Sequence, residues 1–169
     1  GTWDTSPSNQ VWTINSSGSS SLFTNGDNVT FSGSGGVVTV SGTVRPGTLA
    51  VTNASGTYQF TGGSVRATGA ATKSGAGTLV LNNNTALGAG SLSTLTIISG
   101  TLDVTNGSTI TLTNNYTQSW NGDFAFLGTN GSLNIGTGAV TIVKSAELLS
   151  VSSRPLLLRT APVLTVSVA

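Results

Sequence analysis

The chain has 169 residues, 23 of them Gly, with six Lys and Arg, five Asp and Glu, a formal net charge of +1, and no His, Cys or Met. Without His there is no usual general base near neutral pH, and without Cys and His there is neither a thiolate nucleophile nor a soft or borderline metal site. A charge of +1 leaves no electrostatic footprint for nucleic acid, while 7% charged residues at a mean hydropathy of +0.20 is not the composition of a disordered chain.

Helix formers are scarce and Gly interrupts every long window, so the chain reads as short strands with period-2 alternation. In order, strands are predicted at Val11–Ile14, Ser21–Thr24, Asn28–Phe31, Val37–Ser41, Thr48–Thr52, Thr57–Phe60, Ser64–Ala67 and Thr78–Leu81. The second half adds Leu95–Ile98, Thr101–Thr105, Thr109–Thr113, Asp123–Leu127, Ser132–Ile135 and Ala139–Val143, and the tail adds Leu156–Arg159 and Val163–Val168. Turn clusters such as Asn25-Gly26-Asp27, Gly33–Gly36, Asn82–Asn84 and Asn106-Gly107 separate them. No apolar run reaches the ~20 residues of a membrane helix. No leader opens the sequence, so export would require one outside these residues.

Four segments share the pattern Gly-Thr/Ser-Leu-x-apolar, beginning at Gly47, Gly77, Gly100 and Gly131, with starts 30, 23 and 31 residues apart. In each, Leu and the apolar residue two positions on face one side, while the residues between face solvent. Rungs of this kind stack Leu and Val rows into a continuous core and bond to the rungs above and below. Spacing of this size is that of one coil. The expected fold is therefore all-β, a right-handed parallel β-helix, with an antiparallel β-sandwich as the alternative. Residues 1–149 are expected to form the coils. Residues 150–169, where Arg154-Pro155-Leu156-Leu157-Leu158-Arg159 loses the Gly punctuation, are expected to form an atypical cap or assembly strand.

The stretch Thr72-Lys73-Ser74-Gly75-Ala76-Gly77-Thr78-Leu79-Val80-Leu81 resembles the passenger-associated transport repeat of bacterial autotransporters, whose core reads roughly Lys-x-Gly-x-Gly-Thr-Leu-x-Leu. Gly42–Leu49 and Gly56–Gly63 look like the same repeat region. Asn114–Phe124 and the opening Gly1–Trp12 resemble segments of very large repetitive bacterial surface proteins. The resemblance spans most of residues 1–143. It implies a right-handed parallel β-helix displayed outside the cell, in which the repeat is structural and marks no catalytic residue. The chain departs from the pattern in lacking a β-barrel translocator and a final aromatic membrane strand.

The resulting expectation is a non-enzymatic extracellular structural module of a bacterial surface protein, without metal or cofactor. Its first partner would be a second copy, joined end to end into a filament, or other cell-surface material. The alternative is an adhesin or glycan-binding passenger domain using Trp3, Trp12, Trp120, Tyr58 and Tyr116, although a Trp that caps an end or fills a corner is the plainer reading. A polysaccharide-degrading β-helix would need its acids to converge, Asp103 and Asp123 first among them. Asn25-Gly26-Asp27-Asn28 offers oxygen ligands for calcium but carries one acid, which is the mark of a turn. Asn15, Asn28, Asn53, Asn83, Asn106, Asn115 and Asn130 begin Asn-x-Ser/Thr triplets of the kind expected by chance in so polar a chain. Thr109-Ile110-Thr111-Leu112-Thr113 lacks the repetition of an ice-binding face, and Gly33–Gly36 lacks the Lys and helix of a phosphate loop.

Overall fold

The computed structural model of the chain describes residues 1–87, 94–105, 107, 109–112 and 115–143, and the backbone of 156–157 and 164–167. The strands, in chain order, are β1 (Thr2–Trp3), β2 (Trp12–Thr13), β3 (Ser20–Ser21), β4 (Val29–Phe31), β5 (Gly35–Val44) and β6 (Leu49–Val51). Next come β7 (Thr57–Val65), β8 (Ala71–Lys73), β9 (Thr78–Leu81), β10 (Thr94–Ile97), β11 (Gly100–Val104) and β12 (Thr109–Thr111). The last are β13 (Thr117–Trp120), β14 (Phe124–Phe126), β15 (Ser132–Asn134), β16 (Val140–Val143), β17 (Leu156–Leu157) and β18 (Leu164–Ser167).

These strands wind into a parallel β-solenoid of about five turns. Sheet one runs β1-β5-β7-β9-β11-β14, sheet two β4-β6-β8-β10-β13-β16-β18, and sheet three β12-β15-β17. Every pair within them is parallel; among the described strands only β2 and β3 pair antiparallel, as a hairpin. The sandwich alternative is thereby excluded. The first coil, Thr2 to Thr39, takes 37 residues because it carries the hairpin; the coils after it range from 20 residues, Val29 to Leu49, to 24, Ala71 to Leu95.

The Gly-Thr/Ser-Leu pattern is consequently not one repeat. Only Gly77 and Gly100 open successive rungs of one sheet, leading into β9 and β11. Gly47 leads into sheet two and Gly131 into sheet three. Spacings of 30 and 31 residues are thus one coil plus a step to another face. The pattern marks any corner where the chain bends and then buries a Leu.

Alternation supplies the core. In sheet two the rows Val29–Leu49–Ala71–Leu95–Gln118–Val140 and Phe31–Val51–Lys73–Ile97–Trp120–Ile142 run along the axis. In sheet one Val38, Phe60, Leu81 and Val104 form one row, and Tyr58, Leu79, Leu102 and Phe126 another. Ile110 and Leu133 face them from sheet three. Between the inward positions of sheet two stand Thr30, Ala50, Thr72, Thr96, Ser119 and Thr141, a small, uncharged outer column.

Strand limits depart from expectation mainly at glycine. β5 takes in Gly35 and Gly36, expected to turn, and β7 continues through Gly62-Gly63, which had divided it in two. These glycines let backbones approach: a side chain at Gly63 would strike the Gly42 carbonyl on the neighbouring rung. The expected cap or assembly strand at 150–169 lies outside the described residues except for β17 and β18, which pair in parallel with β15 and β16.

Candidate functional site: the capped end and the lysine corner

Two places carry unusual chemistry. At the first end of the solenoid, hairpin β2–β3 folds over the core. Trp3 is the hub, with ring centroids 5.4 Å from Trp12, 5.4 Å from Phe23 and 5.3 Å from Phe31, all edge-on. Phe31 in turn lies 4.9 Å from Phe60 and 5.2 Å from Tyr58. Edge-to-face pairs of this kind add about 0.5–1.5 kcal/mol each beyond burial, and they close an end whose apolar rows would otherwise meet water. Two grooves flank Trp12. One, of about 360 Å³, is bordered by Trp3, Trp12, Thr30, Phe31 and Tyr58; the other, of about 420 Å³, by Trp12, Phe23, Asp27, Val29 and Thr30.

The second place is the corner after β8. Lys73 occupies an inward position and is 1% exposed. Its ammonium donates to the Ser74 carbonyl at 2.8 Å, Gly75 at 3.0 Å and Ser99, one coil on, at 3.4 Å. Burial lowers its pKa to about 8. The neighbouring glycines follow from this. Gly75 turns the chain at φ +74°, and a side chain at Gly100 would meet the Lys73 ammonium. A side chain at Gly77 would displace the amide of Asn53, which is fully buried and donates to the Ser55 and Gly56 carbonyls. Composition gave no hint that one of the two lysines lies in the core. Its place in β8, two residues after inward-facing Ala71, puts it there.

The sequence candidates are dispersed. Trp120 is 3% exposed, stacks edge-on with Phe124 at 5.3 Å, and donates to buried Gln118 at 3.3 Å. Tyr116 is buried too, its hydroxyl without a hydrogen-bond partner and its pKa pushed up by desolvation. Of the five aromatic candidates, Trp3, Trp12 and Tyr58 meet at one groove, and only Trp12 and Tyr58 keep part of a ring exposed.

The carboxylates are held by neighbours. Asp4 accepts from the Ser6 amide and Asn9 side chain, and Asp27 from the Thr24 amide. Asp103 accepts from the Val104 and Thr129 amides and the Thr129 hydroxyl, the last at 2.6 Å. Phe126 pairs with Leu102, so Asp123 and Asp103 lie on neighbouring rungs, at opposite ends of the paired strands. At about 3.3 Å per residue they stand roughly 13 Å apart along the strand, beyond the spacing of glycosidase pairs. In the Asn25–Asn28 turn, Asn25 accepts from the Arg45 amide and Asn28 from the Thr48 hydroxyl, linking that turn to the next coil. Glu147 and Asn106 lie outside the described residues, and Asn53 is too deeply buried to be reached.

The fold defines the class: a three-faced parallel β-solenoid protein with an aromatic cap on one end. No protein-family model matches the chain, no curated protein matches it, and no solved structure matches it.

Proposed function

We propose that the chain is a non-enzymatic structural module of an exported bacterial surface protein, a stiff coil that spaces or displays what it is joined to. One observation carries this reading: among the described residues, the polar groups at Asp103, Asn25, Asn28 and Lys73 are engaged in holding the coil. Asp103 ties a loop to its rung, Asn25 and Asn28 bridge coils, and the Lys73 ammonium is bound by carbonyls of its own corner and the next coil. The resemblance to the passenger-associated transport repeat agrees with this, because each residue of Lys73-Ser74-Gly75-Ala76-Gly77-Thr78-Leu79 that resembles the repeat serves the corner or the core. Its partner of first choice is a second copy.

The glycan-binding alternative draws support from Trp12 and Tyr58 sharing a groove. A glycan array on the folded chain decides between them. The structural reading expects no glycan retained above background. Binding that vanishes in both Trp12→Ala and Tyr58→Ala, with the far-UV spectrum unchanged, would replace it with the adhesin.

A further inference from the structure

A solenoid end exposes the backbone edge of its first rung on every face, and proteins guard such edges. Here sheet one is guarded at both ends. In sheet one the outward carbonyl of β1, that of Thr2, accepts from the Asn9 side chain at 3.0 Å. At the far end of β5 the Arg45 carbonyl accepts from the Gly26 amide at 2.7 Å and its amide donates to Asn25 at 2.8 Å. Sheet two differs. The Val29 amide donates to the Thr48 carbonyl and the Phe31 carbonyl accepts from the Thr52 amide, so positions 29 and 31 face β6. Alternation turns the amide and carbonyl of Thr30 to the opposite side. β4 is the last strand of its sheet there, and Thr30 borders both grooves beside Trp12. No charged residue stands within Asn28–Ser32 to repel an incoming strand, and the Asp27 carboxylate is held by the Thr24 amide.

We propose that β4 is an acceptor edge for one strand of a second copy, namely β18, and that copies join head to tail through sheet two. This rests on the reading of the chain as a structural module and names its contact. β18 is the opposite terminal strand of the same sheet, already paired in parallel with β16. Its sequence Leu164-Thr165-Val166-Ser167 has the alternation of Val29-Thr30-Phe31-Ser32, and residues 160–169 carry no charge. Parallel addition sets Leu164 beside Val29 and Val166 beside Phe31, continuing sheet two from copy to copy with backbone hydrogen bonds supplying affinity. The contact is heterologous and does not close, so it builds an open chain of modules.

The test is sedimentation velocity of the full chain over a concentration series, with Thr30→Pro as the variant. Proline removes the one outward amide but leaves the bonds to β6, which positions 29 and 31 make. The wild-type sedimentation coefficient rises with concentration, Thr30→Pro weakens association about tenfold or more, and a synthetic peptide of residues 160–169 dissociates the wild-type assembly. In parallel, amide exchange at Thr30 slows as wild-type concentration rises, a readout that needs no variant. Association undiminished in Thr30→Pro with unchanged exchange at Thr30 overturns β4 as the acceptor. A wild-type chain monomeric at every concentration overturns the head-to-tail contact, while leaving the single module as a spacer. Glycan binding by that monomer bears on the structural reading instead.

Discussion

Lys73 shows how a single side chain can fix a corner. An ammonium taken out of water is costly unless its protons find acceptors, and the turn Ser74–Gly75 presents carbonyls that no strand uses. Lys73→Ala removes the donor and leaves a void, so a loss of about 2–4 kcal/mol is expected in chemical denaturation. Proton linkage gives a second signature. The folded chain holds this proton only up to a pH of about 8, against the ordinary 10.5. Between those values the unfolded chain binds more protons, so stability rises with pH. The denaturation midpoint should climb from pH 8 to pH 10 in the wild type and lose that climb in Lys73→Ala. A flat wild-type profile would mean that the carbonyl acceptors fully offset the desolvation. Gln118 is the milder counterpart: its amide donates to the Ile135 carbonyl and accepts from Trp120 within an otherwise apolar row.

Among the elements, the hairpin is the one without a place in the coil. Its strands have two residues each, too short to stand alone in water, and the rings beneath hold it. Trp12→Ala strips its contacts to Trp3 and Phe31 at a cost of about 2–3 kcal/mol, less than a fully buried Trp because the ring is partly exposed. The damage should stay local: amides of β4 and β6 exchange faster, while those of β9 and β11 keep their rates. Uniform acceleration along the chain would show that the end and the middle unfold together. Most strands were legible in the sequence because Val, Leu and Thr alternate over three or more positions. β8 and β13 were not. Lys73 and Gln118 occupy inward positions there, so the apolar-polar alternation that announces a strand fails where the polar residue is the buried one. β1 is not legible either, because two residues are too few to show a period.

At the scale of the molecule, parallel architecture was legible from Gly-punctuated rungs, but coil length was not. Corners absorb up to four residues of difference between the coils that follow the hairpin, so a pattern tied to one kind of corner returns at irregular intervals on different faces. The candidate site was less legible still. Trp3, Trp12, Phe23, Phe31, Tyr58 and Phe60 are spread over nearly sixty residues of sequence and converge only because successive coils stack. Cohesion of the whole owes little to charge: six basic and five acidic groups are distributed along 169 residues. Exposed pairs contribute about 0–1 kcal/mol and are screened by salt. Unfolding free energy should therefore shift by less than about 1 kcal/mol between dilute buffer and 1 M sodium chloride. A larger fall would expose an ion-pair network that the fold does not otherwise call for.

The buried lysine also bears on how the chain threads itself. Stacked coils with interchangeable Val, Leu and Ile rows invite a coil to lodge one level too high or too low, since a displaced rung still finds apolar neighbours and a backbone ladder. Lys73 breaks that equivalence. Slipped by one level toward the capped end, it would occupy the place of Val51, with its charge directed at a corner built by Thr52 and Asn53 and without the Ser99 carbonyl within reach. A polar residue inside an apolar column thus works as an address, giving one coil a level that it alone can occupy.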